Sequence, residues 1–482
     1  MQKILCFFLA LSIFIIGVSG KSLADGQTNQ QKKIDQLITN DMKKGKIPGL
    51  AVVIIKNGQT IYKKGYGYAD MKSKKRVSGS TKFQLASLTK AFTGLEIMRL
   101  ANLGFINLND SVSEYISWFH VNYNGKPVQI TVKELLEQSS GIPSDDILRI
   151  PVSTADDALE KGVKHVAGIN LSSQPGEKFI YSNINFNILG LIIETVTGKK
   201  YEDVMRQAVF HPLGLNHTSV RTTPNPDHMT KGYKVSFLAP REYFKPADKS
   251  IGPAANIILD SRDMERWMAI NLGLVKIPGL QLISLSDDNK FHYFAGWMFD
   301  PDESIIYHSG NLPNNSAYIL LEPKNKNGIA VLANSNSPYT RAIAKGIDNI
   351  LHGKEGFGEY KDEFVYADRV STIAVIFCCP MILLLLWRLV TIVRQMHQKQ
   401  RVYIRNGLSY CTIIAAIILI AAICLTAYRL PSLVFGNPYW SYVNDWYSSA
   451  VKYAATLFVC FSILLITNLT LAINTKQTNQ SF

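Results

Sequence analysis

The sequence predicts a mixed α/β (α+β) exported domain: one sheet, closed by the two ends of the domain around a helical insertion, followed by three membrane-spanning helices. Three observations carry this. Strand-like runs with turn signals stand near both ends of residues 25–352. Helical periodicities fill the middle. Beyond residue 369 come three apolar segments, each long enough to cross a hydrocarbon core of ~30 Å at ~1.5 Å per residue.

Each element follows in order. Ile4–Gly20 is an apolar run after Lys3, and small residues (Ser19, Ser22, Ala24) follow it. Residues 1–24 therefore read as a secretory signal peptide, with an uncleaved anchor helix as the alternative. Gln31–Met42 is a charged amphipathic helix. "GLAVVIIKNGQTIYKKGYGYAD" is a pair of strands around Asn57-Gly58, a strong hairpin signal. Ala91–Leu103 has apolar residues at helical spacing and is closed by Gly104. Helical stretches follow at Val132–Gln138, Ile184–Thr197 and Tyr201–Val209. After Ile251 sheet signals return, and "SAYILLEPKNKNGIAVLANS" reads as a second hairpin turning near Asn327-Gly328. Arg341–Leu351 is the last helix of the domain. Residues 353–369 read as a polar linker, and the spans fall at about 370–393, 408–427 and 453–473, with a tail at 474–482.

Charge orients the membrane part. Arg394, Lys399, Arg401 and Arg405 follow the first span, which places that loop and the tail in the cytoplasm and residues 25–369 outside. The next loop carries Tyr439, Trp440, Tyr442, Trp446 and Tyr447, as at a membrane interface. The expected location is a bacterial cytoplasmic (inner) membrane with a periplasmic domain. The net charge is +14, but residues 25–369 hold 41 basic and 36 acidic side chains. The excess is mostly topological, and nucleic acid is not an expected partner. Lys72–Arg76 reads as a solvated turn. All six cysteines lie in the signal or the membrane helices, which excludes disulfides and thiolate chemistry from the exported domain. No HExxH or clustered Cys/His set is present, so no metal or other cofactor is expected.

"FQLASLTKAFTG" places Ser87 and Lys90 three apart where a helix begins, hence on one face. A serine hydroxyl needs a base, and a lysine serves if burial or another cation disfavours its charge. The plain alternative is a capping serine and a surface lysine. A second Ser-x-x-Lys, Ser449–Lys452, shows how little the spacing says alone. Tyr181-Ser182-Asn183 stands on a turn before a helix. The phenol of Tyr181 suits a proton shuttle, and Asn183 suits a substrate amide. The alternative is a buried tyrosine beside a helix cap. His308-Ser309-Gly310 ends a strand, where a glycine lets backbone approach a bound carbonyl. The N–H of Asn311 with that of Ser87 would make an oxyanion hole. Alone, His308 reads as an ordinary half-buried histidine.

In order and spacing, Ser87-x-x-Lys90, Tyr181-x-Asn183 and His308-Ser309-Gly310 resemble the three motifs of the serine penicillin-recognising hydrolases, in particular the class C β-lactamase and D-aminopeptidase branch. "LLEQSSGIP", "FHPLGLNHT", "DSRDMERWM" and "FAGW" look like its framework, and the resemblance covers roughly residues 30–352. It implies a class C β-lactamase-like antiparallel sheet flanked by helices, with a helical subdomain. It also implies an acyl-enzyme on Ser87, with Lys90 and Tyr181 sharing the base role. One departure stands out: class C β-lactamases carry Lys where this chain has His308, and the His form looks like the peptidase and esterase members. The layout with three membrane helices is similar to the peptidases that mature colibactin-type nonribosomal peptide prodrugs by removing an N-acyl-D-asparagine leader. The partners this implies are a peptide or acyl-amide substrate, membrane lipid and an exporter delivering the prodrug. A cell-wall D-Ala-D-Ala carboxypeptidase, a broad esterase and an inactive binding or sensor module remain the alternatives.

Overall fold

The computed structural model describes residues 29–144, 150–224, 226–281, 289–302, 304–356, 360–437 and 439–478. The expected signal peptide and most of the tail lie outside them. The chain forms two compact units: one takes residues up to Gly232 and Phe244–Tyr360, the other Tyr233–Tyr243 and residues from Lys361 on.

The first unit is built on an eight-stranded antiparallel sheet. Its strands are β1 (Gly49–Lys56), β2 (Gln59–Asp70), β3 (Lys75–Arg76), β4 (Tyr293–Phe294), β5 (Trp297–Phe299), β6 (Ile306–Leu312), β7 (Asn315–Glu322) and β8 (Asn327–Ala333). They lie in the order β4-β5-β6-β7-β8-β1-β2-β3. β1 pairs with β8, Leu50 opposite Ala333 and Ile55 opposite Gly328, so the two ends of the domain do close one sheet. β1 is apolar throughout because both its faces are covered. Ala51, Val53 and Ile55 enter the core shared with the helical region. Leu50, Val52 and Ile54 pack on a second core, under helices α1 (29–44) and α5 (Tyr339–Leu351). On the first core's side lie α2 (Thr89–Asn102), α3 (Asn183–Thr197) and α4 (Ser261–Asn271). Phe92 of α2 stacks on Trp267 of α4 at 3.9 Å between ring centroids, and Trp267 stacks on Trp297 of β5. Residues 75 and 76 of the basic turn are exposed, as expected.

Asn57-Gly58 makes the first hairpin turn, both residues at positive φ. The second hairpin turns elsewhere than expected. Asn327 and Gly328 already belong to β8, opposite Glu322 and Leu321, and the turn is residues 323–326. Asn327 is used sideways instead: its Oδ1 accepts from Asn57 N at 2.9 Å, and its Nδ2 donates to Glu322 Oε2 at 2.9 Å. Gly328 clears room for α4, since a Cβ there would stand 2.9 Å from Met268 Cε. The expected helix Tyr201–Val209 also changes character, passing from α at Tyr201–Val204 to π at Met205–Phe210.

Among the described residues, the second unit holds three helices long and apolar enough to cross a membrane: α6 (Glu363–His397), α7 (Gly407–Phe435) and α8 (Ser449–Asn474). α6 begins inside the expected linker. Asp362 caps it, accepting from Phe364 N and Val365 N at 3.0 Å each, so residues 363–368, expected as linker, form its first turns. The unit also includes a hairpin, Tyr233–Ser236 with Ala239–Glu242. That hairpin comes from the middle of what the sequence read as one exported domain.

Candidate active site

Ser87 does not sit in the first turn of α2. It sits in a 3₁₀ turn, Ala86–Leu88, that runs straight into it. Ala86 has φ +50°, left-handed backbone that a non-glycine residue rarely adopts. Such strain clusters at functional sites. A short sheet holds the segment before it, Phe83–Gln84 pairing with Ile257–Leu259. From the other side β6 presses on it. A Cβ at Gly310 would fall inside van der Waals distance of Leu85 O and 3.2 Å from Ala86 Cβ. Gly310 is thus required for close approach, and Asn311 follows it, exposed, at the end of β6.

Lys90 lies one turn into the helical segment and is 0% exposed. Its Nζ donates to Ser87 Oγ at 3.1 Å, to Asn183 Oδ1 at 2.5 Å and to Ala254 O at 3.1 Å. It also stands 5.0 Å from the centroid of the Tyr181 ring. Asn183 opens α3, and its oxygen, which the sequence reading offered to a substrate amide, is engaged by the lysine. Tyr181 is half-buried, with its ring 6.3 Å from that of Tyr293 and 6.2 Å from that of His308. The structure therefore brings Ser87, Lys90, Tyr181, Asn183, His308 and Gly310 together.

His308 is buried. Its Nδ1–H donates to Ser309 O at 2.7 Å, and Nε2 meets no hydrogen-bond donor among the described residues. Burial, with the Lys90 ammonium nearby, holds the ring's pKa down at about 3, against the pull of the Ser309 bond. At neutral pH this position is an uncharged imidazole. Burial, with Tyr181 beside it, pushes the Tyr293 phenol well above its usual value.

Three contributors were not singled out in the sequence. Ala254 O comes from the short helix Gly252–Ala255, for which no motif stood out. Tyr293 forms one wall of the site. Gln138, at φ +57°, brackets Tyr181. Its backbone oxygen accepts from Ile180 N at 2.8 Å, and its Oε1 accepts from Ser182 N at 2.9 Å and Asn185 Nδ2 at 2.5 Å. The available signal was "LLEQSSGIP", read only as framework. "FAGW" has a comparable explanation: a Cβ at Gly296 would collide with the backbone of Ala91 in α2. The one mixed carboxylate-histidine group found among the described residues, Glu322, Asp348 and His352, lies on β7 and α5, and its members pair with one another.

Fold and site define a serine hydrolase of mixed α/β architecture. The beta-lactamase family model matches residues 34–352, and the chain belongs to that family. It is 34% identical to protein flp of Staphylococcus aureus (strain N315) over 468 residues, 93% of this chain and 92% of that one. It is 25% identical to penicillin-binding protein 4* of Bacillus subtilis (strain 168), over 68% of this chain and 77% of that one. Among solved structures, the octameric penicillin-binding protein homologue from Pyrococcus abyssi superposes with TM-score 0.57 at 26% identity, over 70% of this chain and 81% of the other. EstCE1, a hydrolase with promiscuous acyltransferase activity, shares the fold, with TM-score 0.56 at 21% identity over 64% and 95%.

Proposed function

We propose that the chain is a membrane-anchored serine hydrolase. It acts outside the cytoplasm on amides or esters that carry no carboxylate beside the scissile bond. The observation that supports this best is the buried Lys90 amine 3.1 Å from Ser87 Oγ, next to an uncharged His308. Lys90 Nζ contacts two carbonyls and the Ser87 hydroxyl. Once the ammonium has lost its proton, the amine keeps its two N–H bonds on Asn183 Oδ1 and Ala254 O and turns its lone pair to the Ser87 hydroxyl. Ser87 Oγ then attacks the substrate carbonyl carbon while its proton passes to Lys90 Nζ. The N–H groups of Ser87 and Asn311 hold the oxyanion. Collapse breaks the bond to the leaving group, which takes the proton of the Tyr181 phenol and leaves a phenolate. The phenolate accepts a proton from water as the water attacks the acyl-enzyme, and Lys90 returns its proton to Ser87 Oγ as the acyl bond breaks.

The finer reading is removal of an N-acyl-D-amino-acid leader, N-acyl-D-Asn being the example, from a peptide prodrug delivered by an exporter. A neutral third motif suits a scissile amide inside a longer molecule. A wall D-Ala-D-Ala carboxypeptidase needs a cation for the terminal carboxylate, and His308 does not supply one. The test is a panel given to the membrane-embedded protein. Release of acyl-D-Asn from an N-acyl-D-Asn amide, with slower cleavage of a peptide ending in D-Ala-D-Ala, is expected. Preferential cleavage of the free-acid peptide would reject the reading.

A further inference from the structure

The hairpin of the second unit breaks a local rule. Its strands register Tyr233 with Glu242 and Ser236 with Ala239, which leaves a two-residue loop, Phe237-Leu238. Both residues have positive φ, +51° and +63°. Two-residue loops of this type favour Asn-Gly, because L side chains are disfavoured there. Here the positions hold a phenylalanine 37% exposed and a leucine 45% exposed.

The unfavourable backbone is held from below by one carboxylate. Asp368 of α6 is 0% exposed. Its Oδ1 accepts from Phe237 N and its Oδ2 from Leu238 N, both at 2.8 Å, and Ser448 Oγ donates to Oδ1 at 2.6 Å. The base of the hairpin is fastened as well. Lys234 Nζ donates to Asn444 O at 2.6 Å, and Tyr243 OH donates to Asp445 Oδ1 at 2.9 Å. The backbone conformation is thus fixed while two large apolar side chains stay partly exposed. Their level is marked by their neighbours. Asp368 lies two residues before the first apolar run. Ser448 caps α8, and Tyr453, whose ring lies 5.9 Å from that of Phe237, opens the third run.

We propose that the Phe237-Leu238 loop is a lipid-binding wedge. Its two side chains enter the acyl region of the leaflet in which α6 and α8 begin, and the occupant of this surface is phospholipid. Continuity with the apolar spans favours lipid over a second copy or a protein partner. A loop so anchored fixes the hairpin's depth in the bilayer.

The test uses the full chain with its native cysteines replaced, reconstituted in phosphatidylcholine-phosphatidylglycerol vesicles. The environment-sensitive dye NBD is attached at Leu238→Cys, and in a second preparation at Phe237→Cys. Lys72→Cys, in the exposed basic turn, is the control. At 238 and 237 the expected result is blue-shifted emission, quenched several-fold more by lipid carrying a shallow spin label than by aqueous iodide. Position 72 should show the reverse. Iodide quenching at 237 and 238 equal to that at 72 would overturn the proposal. So would shielding from both quenchers, which would show that protein covers the loop.

Discussion

Lys90 Nζ donates to two carbonyl oxygens and to the Ser87 hydroxyl, which holds the amine against its serine. The Ser-x-x-Lys spacing was legible because it is local. The identity of the lysine's other partners was not, since Asn183 and Ala254 lie 93 and 164 residues away. His308 carries a pH prediction. In the unfolded chain it takes up a proton near its ordinary pKa of 6.5, while in the fold it does so only near 3. The unfolded state therefore binds more protons between those values, and stability falls as pH drops through that window. The slope is up to ~1.4 kcal/mol per pH unit. Thermal unfolding in detergent should show the midpoint falling from pH 6.5 toward 4. The His308→Gln variant should lose that part of the slope.

Among the elements, the loop carrying Gln138 places Tyr181 without contributing chemistry of its own, and Gly310 places the segment before Ser87 against β6. Gln138→Ala removes the acceptor shared by two buried donors, Ser182 N and Asn185 Nδ2, at a cost of about 1–3 kcal/mol for each bond lost. Turnover of an activated ester should fall about tenfold or more, with Tyr181 released, while labelling of Ser87 persists. Gly310→Ala should be worse, because the new methyl meets the backbone at Leu85. Loss of soluble, detergent-extracted protein or of all labelling is the expected readout. Periodicity revealed most of these elements. It misled at Asn327-Gly328, where a strong turn signal was spent on a side-chain clamp and a close helix contact.

For the whole molecule, the sequence divided the chain at residue 353 and again at 370. The structure instead gives residues 233–243 to the membrane unit and starts α6 at Glu363. The early start of α6 follows from the Asp362 cap. The hairpin is received by Asp368 and Ser448 through contacts 131 and 212 residues apart, which no local pattern announces. Topology is testable directly. The proposed orientation predicts that a green fluorescent protein fused after Lys399, in the basic loop, fluoresces, while alkaline phosphatase fused after Leu351 is active. The opposite pattern would invert the orientation.

The central claim is that Ser87 is a nucleophile activated by Lys90. Intact-mass analysis of the full chain treated with a fluorophosphonate tests it most directly. The account predicts one adduct per chain, mapped to Ser87, absent in Ser87→Ala and formed at least ~10²-fold more slowly in Lys90→Met. An adduct elsewhere, or labelling of Ser87 at an undiminished rate in the Lys90→Met variant, would contradict it.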